Sequence, residues 1–125
     1  MANEITITTA LRYENGDLGG LTVPSRTQKI DQNTAAPSRV GGCQTIGTTE
    51  EAIALTDLTT NGVARFRNRD ATNFVEIGVK PAATFYPLVR LNADEECIFR
   101  LSQGITPYAK ADTAACILDR DILDD

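Results

Sequence analysis

Residues Asn61 to Leu101 read NGVARFRNRDATNFVEIGVKPAATFYPLVRLNADEECIFRL. The stretch holds four short apolar runs: Val63 to Arg67, Phe74 to Val79, Thr84 to Leu91 and Glu95 to Leu101. Asn68-Arg69-Asp70, Lys80-Pro81 and Asn92-Ala93-Asp94 separate them. β-branched and aromatic side chains fill the runs. Asn, Asp and Pro fill the gaps, where a backbone without a regular partner is satisfied by turn chemistry. This pattern predicts strands joined by tight turns. Phe85, Pro87, Val89 and Leu91 share one parity, and so do Cys97, Phe99 and Leu101. Each run therefore presents one apolar face, as antiparallel strands with one wet side do. Pro87 cannot donate to a ladder, so its strand is expected at a sheet edge or at a bulge.

Outward from this stretch, Ile5, Ile7, Thr9, Leu11 and Tyr13 alternate with Thr6, Thr8, Ala10 and Arg12. That period of two predicts a strand with one buried face, closed by a turn at Glu14-Asn15-Gly16-Asp17. From Asp17 to Glu51 apolar residues thin out to Leu18, Leu21, Val23, Ile30, Val40 and Ile46. Residues 17–51 are therefore read as an extended polar arm or loop. Within it, Ser25 to Gln32 is too polar for a central strand. It is an edge strand, an exposed arm, or a segment that pairs with another chain. Its expected contact residues are Arg26, Ile30, Arg39 and Val40. Deleting residues 17–45 is expected to leave a folded domain. Short strands are expected at 44–47 and 52–55, and two more at 106–111 and 114–118, with Ile122-Leu123 extending the last. The sum is about nine strands at roughly ten-residue spacing, the signature of a sandwich or barrel. The expected core is Ile5, Ile7, Leu11, Phe66, Val75, Ile77, Phe85, Val89, Leu91, Phe99 and Leu101.

The length of 125 residues fits one domain, able to bury a core without metals or disulfides. The formal net charge is −5, with basic and acidic residues interspersed and no basic stripe, which disfavours nucleic acid as a partner. Cys43, Cys97 and Cys116 are odd in number and far apart, so they form neither a disulfide framework nor a zinc spacing. They are read as reduced and structural. The start MANEITITT has no basic region followed by an apolar one, so no secretory signal is expected. No apolar run approaches the ~20 residues of a membrane helix. Synthesis and folding are placed in a cytoplasm.

Histidine is absent, which removes Ser-His-Asp and Cys-His nucleophile systems and His-based metal sites. Gly19-Gly20 and Gly41-Gly42 lack the spacing and following Lys of a phosphate loop. Adjacent carboxylates at Glu50/Glu51, Asp94/Glu95/Glu96 and Asp124/Asp125 point to opposite faces of a strand and make poor acid/base partners. The Asp94 group is a weak calcium candidate. Arg65, Arg67 and Arg69 line one strand face, either solvated or set to grip a partner's acidic groups. No catalytic, cofactor or metal residue is assigned. The chemistry points to a binding or structural module and away from an enzyme.

Taken together, TNFVEIGV, FYPLVRLNADEECIFRL and PYAKADTAACILDRDILDD, with QTIGTTEEAIAL and MANEITIT before them, resemble small virion structural proteins of tailed bacteriophages. Members of that group carry a TNYVEIG strand, an LKPGE turn, an FRL strand and then YAKA. The resemblance spans most of the chain and is tightest from Arg67 to Asp112. Its strings define a fold rather than a chemistry. One departure is that the Pro-Gly of the turn is here Ala93-Asp94, which a type I turn tolerates. The resemblance implies a jelly-roll-like antiparallel β-sandwich that acts as a capsid cement (decoration) protein. It would trimerise on the outside of an icosahedral head, with the major capsid protein and its own copies as partners, after assembly in the host bacterial cytoplasm. The alternatives are another virion part, such as a tail or head-tail connector subunit, or a carbohydrate-binding sandwich. The absence of Trp speaks against the last, since sugar sites stack on exposed aromatics.

Overall fold

The computed structural model describes residues 4–17 and 19–125. Met1, Ala2, Asn3 and Leu18 lie outside the described residues. The chain divides into two units, Met1–Asn33 and Thr34–Asp125.

The first unit is a two-stranded antiparallel ribbon of β1 (Ile5–Asn15) and β2 (Gly19–Ile30). Its ladder runs from Ile5↔Ile30 to Asn15↔Gly19. Between Thr9↔Arg26 and Leu11↔Val23 the register shifts, so Pro24 and Ser25 stand opposite Ala10 alone. A proline has no N–H to give to the ladder, and a bulge is where a strand tolerates that loss. The strand runs on to Asn15, and the positive φ at the turn falls on Gly19. Asn15 Oδ1 accepts the Asp17 N–H at 3.1 Å, closing an Asx turn.

The second unit is an antiparallel β-sandwich. Its strands are β3 (Arg39–Val40), β4 (Cys43–Ile46), β5 (Glu51–Ala52), β6 (Asn61–Asn68), β7 (Val75–Val79), β8 (Tyr86–Leu91), β9 (Glu96–Arg100), β10 (Tyr108–Ala111) and β11 (Cys116–Asp124). One sheet has the order β5-β10-β7-β8. The other has β3-β11-β6-β9, with β4 also paired to β11. A single 3-10 turn, Pro81–Ala83, is the helical segment among the described residues. The chain is all-β.

Alternation explains how the two sheets close on one core. Ala64 and Phe66 of β6, with Cys116, Leu118 and Ile122 of β11, face Val75 and Ile77 of β7, Ala109 and Ala111 of β10 and Leu91 of β8. Val89, Cys97 and Phe99 pack against this cluster, and the Phe66 and Phe99 rings tilt together at 5.7 Å. The expected core residues Ile5, Phe66, Val75, Ile77, Leu91 and Leu101 are buried. Ile7 and Phe85 are half-buried, and Leu11 is exposed. Asn68 is buried at the end of β6. Its Nδ2 donates to the carbonyls of Asn73, Leu91 and Asn92 at 2.8, 3.1 and 3.2 Å, tying the entry of β7 to the β8–β9 turn.

Pro87 meets both expectations placed on it. β8 is an edge strand, and its ladder with β7 skips from Ile77↔Val89 to Gly78↔Pro87, leaving Leu88 as the extra residue. Gly78 is required there, because a Cβ on it would stand 1.9 Å from the Tyr86 carbonyl oxygen. In the β8–β9 turn, Asp94 takes a left-handed conformation at φ 64°, a region where Gly carries no steric penalty and where Asp is tolerated.

Two expectations change. Residues 17–51 are not one arm. β2 joins β1 in the ribbon, while β3 and β4 pair with β11, and β5 with β10. Val40 and Ile46 are sparse but suffice, because each two- to four-residue strand needs only one inward side chain. Deleting residues 17–45 would therefore strip β3 and β4 from the body. The second change concerns β1, whose alternation does not mark a buried face: Leu11 and Tyr13 are 56% and 46% exposed.

Candidate functional site

Residues directly opposite in an antiparallel pair share a face. Leu11 stands opposite Val23, and Tyr13 opposite Leu21. These four side chains form one apolar cluster on the ribbon. They are 56%, 45%, 46% and 51% exposed in the order Leu11, Val23, Tyr13, Leu21. Toward the base the same face continues with Thr9↔Arg26, Ile7↔Gln28 and Ile5↔Ile30. The opposite face is polar. Thr8 and Thr27 share a hydrogen bond at 3.1 Å, and Arg12 pairs with Glu14 at 3.1 Å. The ribbon is thus amphipathic with its apolar face in solvent. A two-stranded ribbon alone is marginally stable in water. Covering the remaining half of four such side chains is worth on the order of 3–6 kcal/mol.

A second apolar surface lies on the sandwich, beside its edge strands β8 and β9. A pocket of about 420 Å³ there is lined by Val79, Leu88, Phe99, Leu101, Ile105 and neighbouring residues. The β8 bulge carries Leu88 to the lip, where it is 76% exposed, and Ile105 is 41% exposed. Bulges commonly re-aim a side chain in this way. Arg100 also lines the pocket, and its Nη1 is bound to Asp125 Oδ1 at 2.7 Å.

Of the expected contact residues, Arg26 and Ile30 share the ribbon's apolar face, Arg26 exposed and Ile30 half-buried. Arg39 is exposed on β3. Val40 is buried opposite Ile122, so it serves the core of the body and leaves the contact set. The sequence reading placed Leu11 in the core and did not single out Tyr13, Leu21, Val23, Leu88 or Ile105 as exposed apolar residues, which they are. The alternation of 11/13 and 21/23 about one turn was the available signal for the first four.

The arginine series has intramolecular partners. Arg65 binds Glu96 at 2.9 Å and Asp121 at 3.1 Å, Arg67 binds Asp94, and Arg69 approaches Asp119 at 3.7 Å. These carboxylates neutralise the row, so it is not a bare grip for acidic groups. The weak calcium candidate is dispersed by the same pairs, with Glu95 accepting the Asn92 N–H at 2.7 Å. Among the described residues no three His, Cys, Asp or Glu side chains gather as metal ligands. Burial pushes the Cys97 and Cys116 thiols up, away from the reactive thiolate.

Two carboxylates have structural work. Asp70 accepts the backbone N–H groups of Asn73 and Thr72, which hold it below the usual carboxylate range and fix the β6–β7 turn. Asp124 is fully buried. Its Oδ1 accepts from Thr59 and Thr60 at 2.8 and 3.0 Å, and its Oδ2 from Ser38 at 2.8 Å. Burial pushes this carboxyl up, but the three backbone donors outweigh it and hold the group below its ordinary value.

No protein-family model, curated protein or solved structure matches this chain.

Proposed function

We propose that this chain is a structural protein of a tailed-phage virion, a capsid cement that binds the outer surface of the icosahedral head. It bridges major capsid protein subunits as a homo-oligomer, a trimer in the reading adopted here, and works by shape and adhesion. The observation that carries this is the ribbon face of Leu11, Tyr13, Leu21 and Val23, apolar and in solvent on a strand pair that lacks a third strand. Such a face gains free energy only when a protein surface covers it. One contact of this size is weak. Copies linked to one another and set on a repeating lattice multiply it through effective concentration. The resemblance from Arg67 to Asp112 supplies the virion context.

The test uses heads assembled without this chain. Purified protein is added, occupancy is read by cryo-electron microscopy, and the temperature at which heads release DNA is measured. The wild type should decorate the outer surface and raise the release temperature. A Leu11→Asp, Val23→Asp variant should load poorly, because it loses the apolar face while keeping the body. Bare heads after incubation with wild type, or density confined to the tail, would overturn the assignment.

A further inference from the structure

Asn-Gly occurs twice in the chain, at Asn15-Gly16 and Asn61-Gly62. This dipeptide carries a reaction of its own. The backbone nitrogen of the glycine can add to the asparagine Cγ, because glycine sets no side chain beside the attacking atom. The fold puts the two copies in opposite settings.

Asn15, Gly16 and Asp17 are all exposed at the end of the ribbon. A Cβ on Gly16 would find nothing within 4 Å, so the space around the attacking nitrogen is open. The Asp17 N–H donates to Asn15 Oδ1 at 3.1 Å. That oxygen takes the negative charge when Cγ becomes tetrahedral, so the Asx turn sets a donor where the oxyanion develops. Asn61 is instead buried at the start of β6. Its Nδ2 donates to the Ile105 carbonyl, and the Gly62 carbonyl accepts the Leu101 N–H at 3.0 Å. A Cβ on Gly62 would lie 2.8 Å from the Leu123 carbonyl oxygen, so no room is left there. Bending this backbone to bring nitrogen onto Cγ means opening a core strand, a state held by fewer than ~10⁻³ of molecules.

We infer that Asn15 is a site of spontaneous deamidation and that the fold protects Asn61 from the same reaction. The Gly16 nitrogen bonds to Asn15 Cγ and loses its proton. The Cγ–Nδ2 bond breaks, ammonia leaves, and a succinimide ring remains. One water then opens the ring at either carbonyl, giving aspartate or isoaspartate, and nothing is oxidised or reduced. The product adds one negative charge to the formal −5, in sequence between Glu14 and Asp17. Arg12, on the same strand, is already paired with Glu14 at 3.1 Å. The isoaspartyl form also lengthens the main chain by one carbon at the last ladder pair, Asn15↔Gly19. The tip of the ribbon therefore carries a chemical clock that does not depend on what the ribbon binds.

The test incubates the full chain at mildly alkaline pH and body temperature in heavy-oxygen water, then digests it in ordinary water for peptide mass spectrometry. Deamidation during incubation fixes a heavy oxygen in the new carboxyl, which separates it from any that occurs during digestion. The peptide holding Asn15 should convert to a mixture of aspartate and isoaspartate at least ~10³-fold faster than the one holding Asn61. In urea, where both sites are open, the two rates should converge. Gly16→Ala should keep the fold, since its Cβ meets nothing, and should slow conversion at residue 15 by about tenfold or more. An Asn15 that stays an amide in the folded chain while both sites react in urea would overturn the inference. So would equal rates at the two sites in the folded chain, or a Gly16→Ala variant that converts as fast as wild type.

Discussion

Asp124→Asn is the most informative change to the body. The carboxylate joins three backbone donors from two loops: Thr59 and Thr60 on Oδ1, Ser38 on Oδ2. Asparagine keeps one acceptor for Thr59 and Thr60, but sets an NH₂ group against the Ser38 N–H, donor against donor. One charge-assisted bond worth ~1.5–3 kcal/mol is lost, and two others fall to about half their strength. Water reaching the exposed Ser38 offsets part of this. The net cost is about 2–4 kcal/mol, or roughly 10–25 °C in Tm for a body of this size. Thermal unfolding by circular dichroism measures it. Asp121→Asn on the same strand is the control, since that carboxylate is exposed and pairs with the partly solvated Arg65. The pH profile has a determined sign. The folded carboxyl lies below its unfolded value near 3.9, so its contribution is complete at neutral pH and disappears as pH falls through the folded value. Wild type should therefore lose its advantage over Asp124→Asn in strong acid. Equal midpoints for Asp124→Asn and Asp121→Asn at pH 7 would refute the reasoning.

Gly78→Ala should be among the most damaging small substitutions, costing about 3 kcal/mol or more. Its Cβ meets the Tyr86 carbonyl at 1.9 Å, and edge strand β8 must move to relieve the clash; urea unfolding reads the cost. Arg65→Met should cost under about 1 kcal/mol despite two ion pairs, and less as salt rises, because the pairs are partly solvated. Denaturant midpoints at low and high ionic strength check this. Ala83→Gly should leave stability unchanged or raise it by up to about 1 kcal/mol, since Ala83 sits at φ 67°, where glycine has no steric penalty. A fall in Tm would contradict it.

Much of the body was legible before the coordinates. Parity in 97–101 found the inward residues. In 85–91 it found Val89 and Leu91 but not Phe85 and Pro87, because the bulge at Leu88 sets Pro87 opposite Gly78, on the other face from Val89 opposite Ile77. Pro87 itself found both the edge and the bulge, because a missing N–H restricts a strand wherever it lies. The end of β11 was legible as a continuation at Ile122-Leu123. The segment 17–51 was not, for a physical reason. A two-residue strand such as β3 is held by the ladder it joins, and one inward Val40 carries no periodicity to detect. The ribbon face was misjudged differently. Alternation reports that a strand has two unlike faces; it does not report what covers the apolar one. Leu11 and Tyr13 look the same in sequence whether a second sheet or a second molecule lies over them.

The core cluster draws no residue from the ribbon, so a side chain changed at the far end of the hairpin removes nothing from that cluster. On the reading proposed above, substitutions at Leu11, Tyr13, Leu21 or Val23 would alter what the molecule adheres to while leaving that core cluster intact. On that reading, such a division would let attachment be retuned by rewriting one hairpin, and it makes that hairpin a natural place for an engineer to splice a foreign binding sequence.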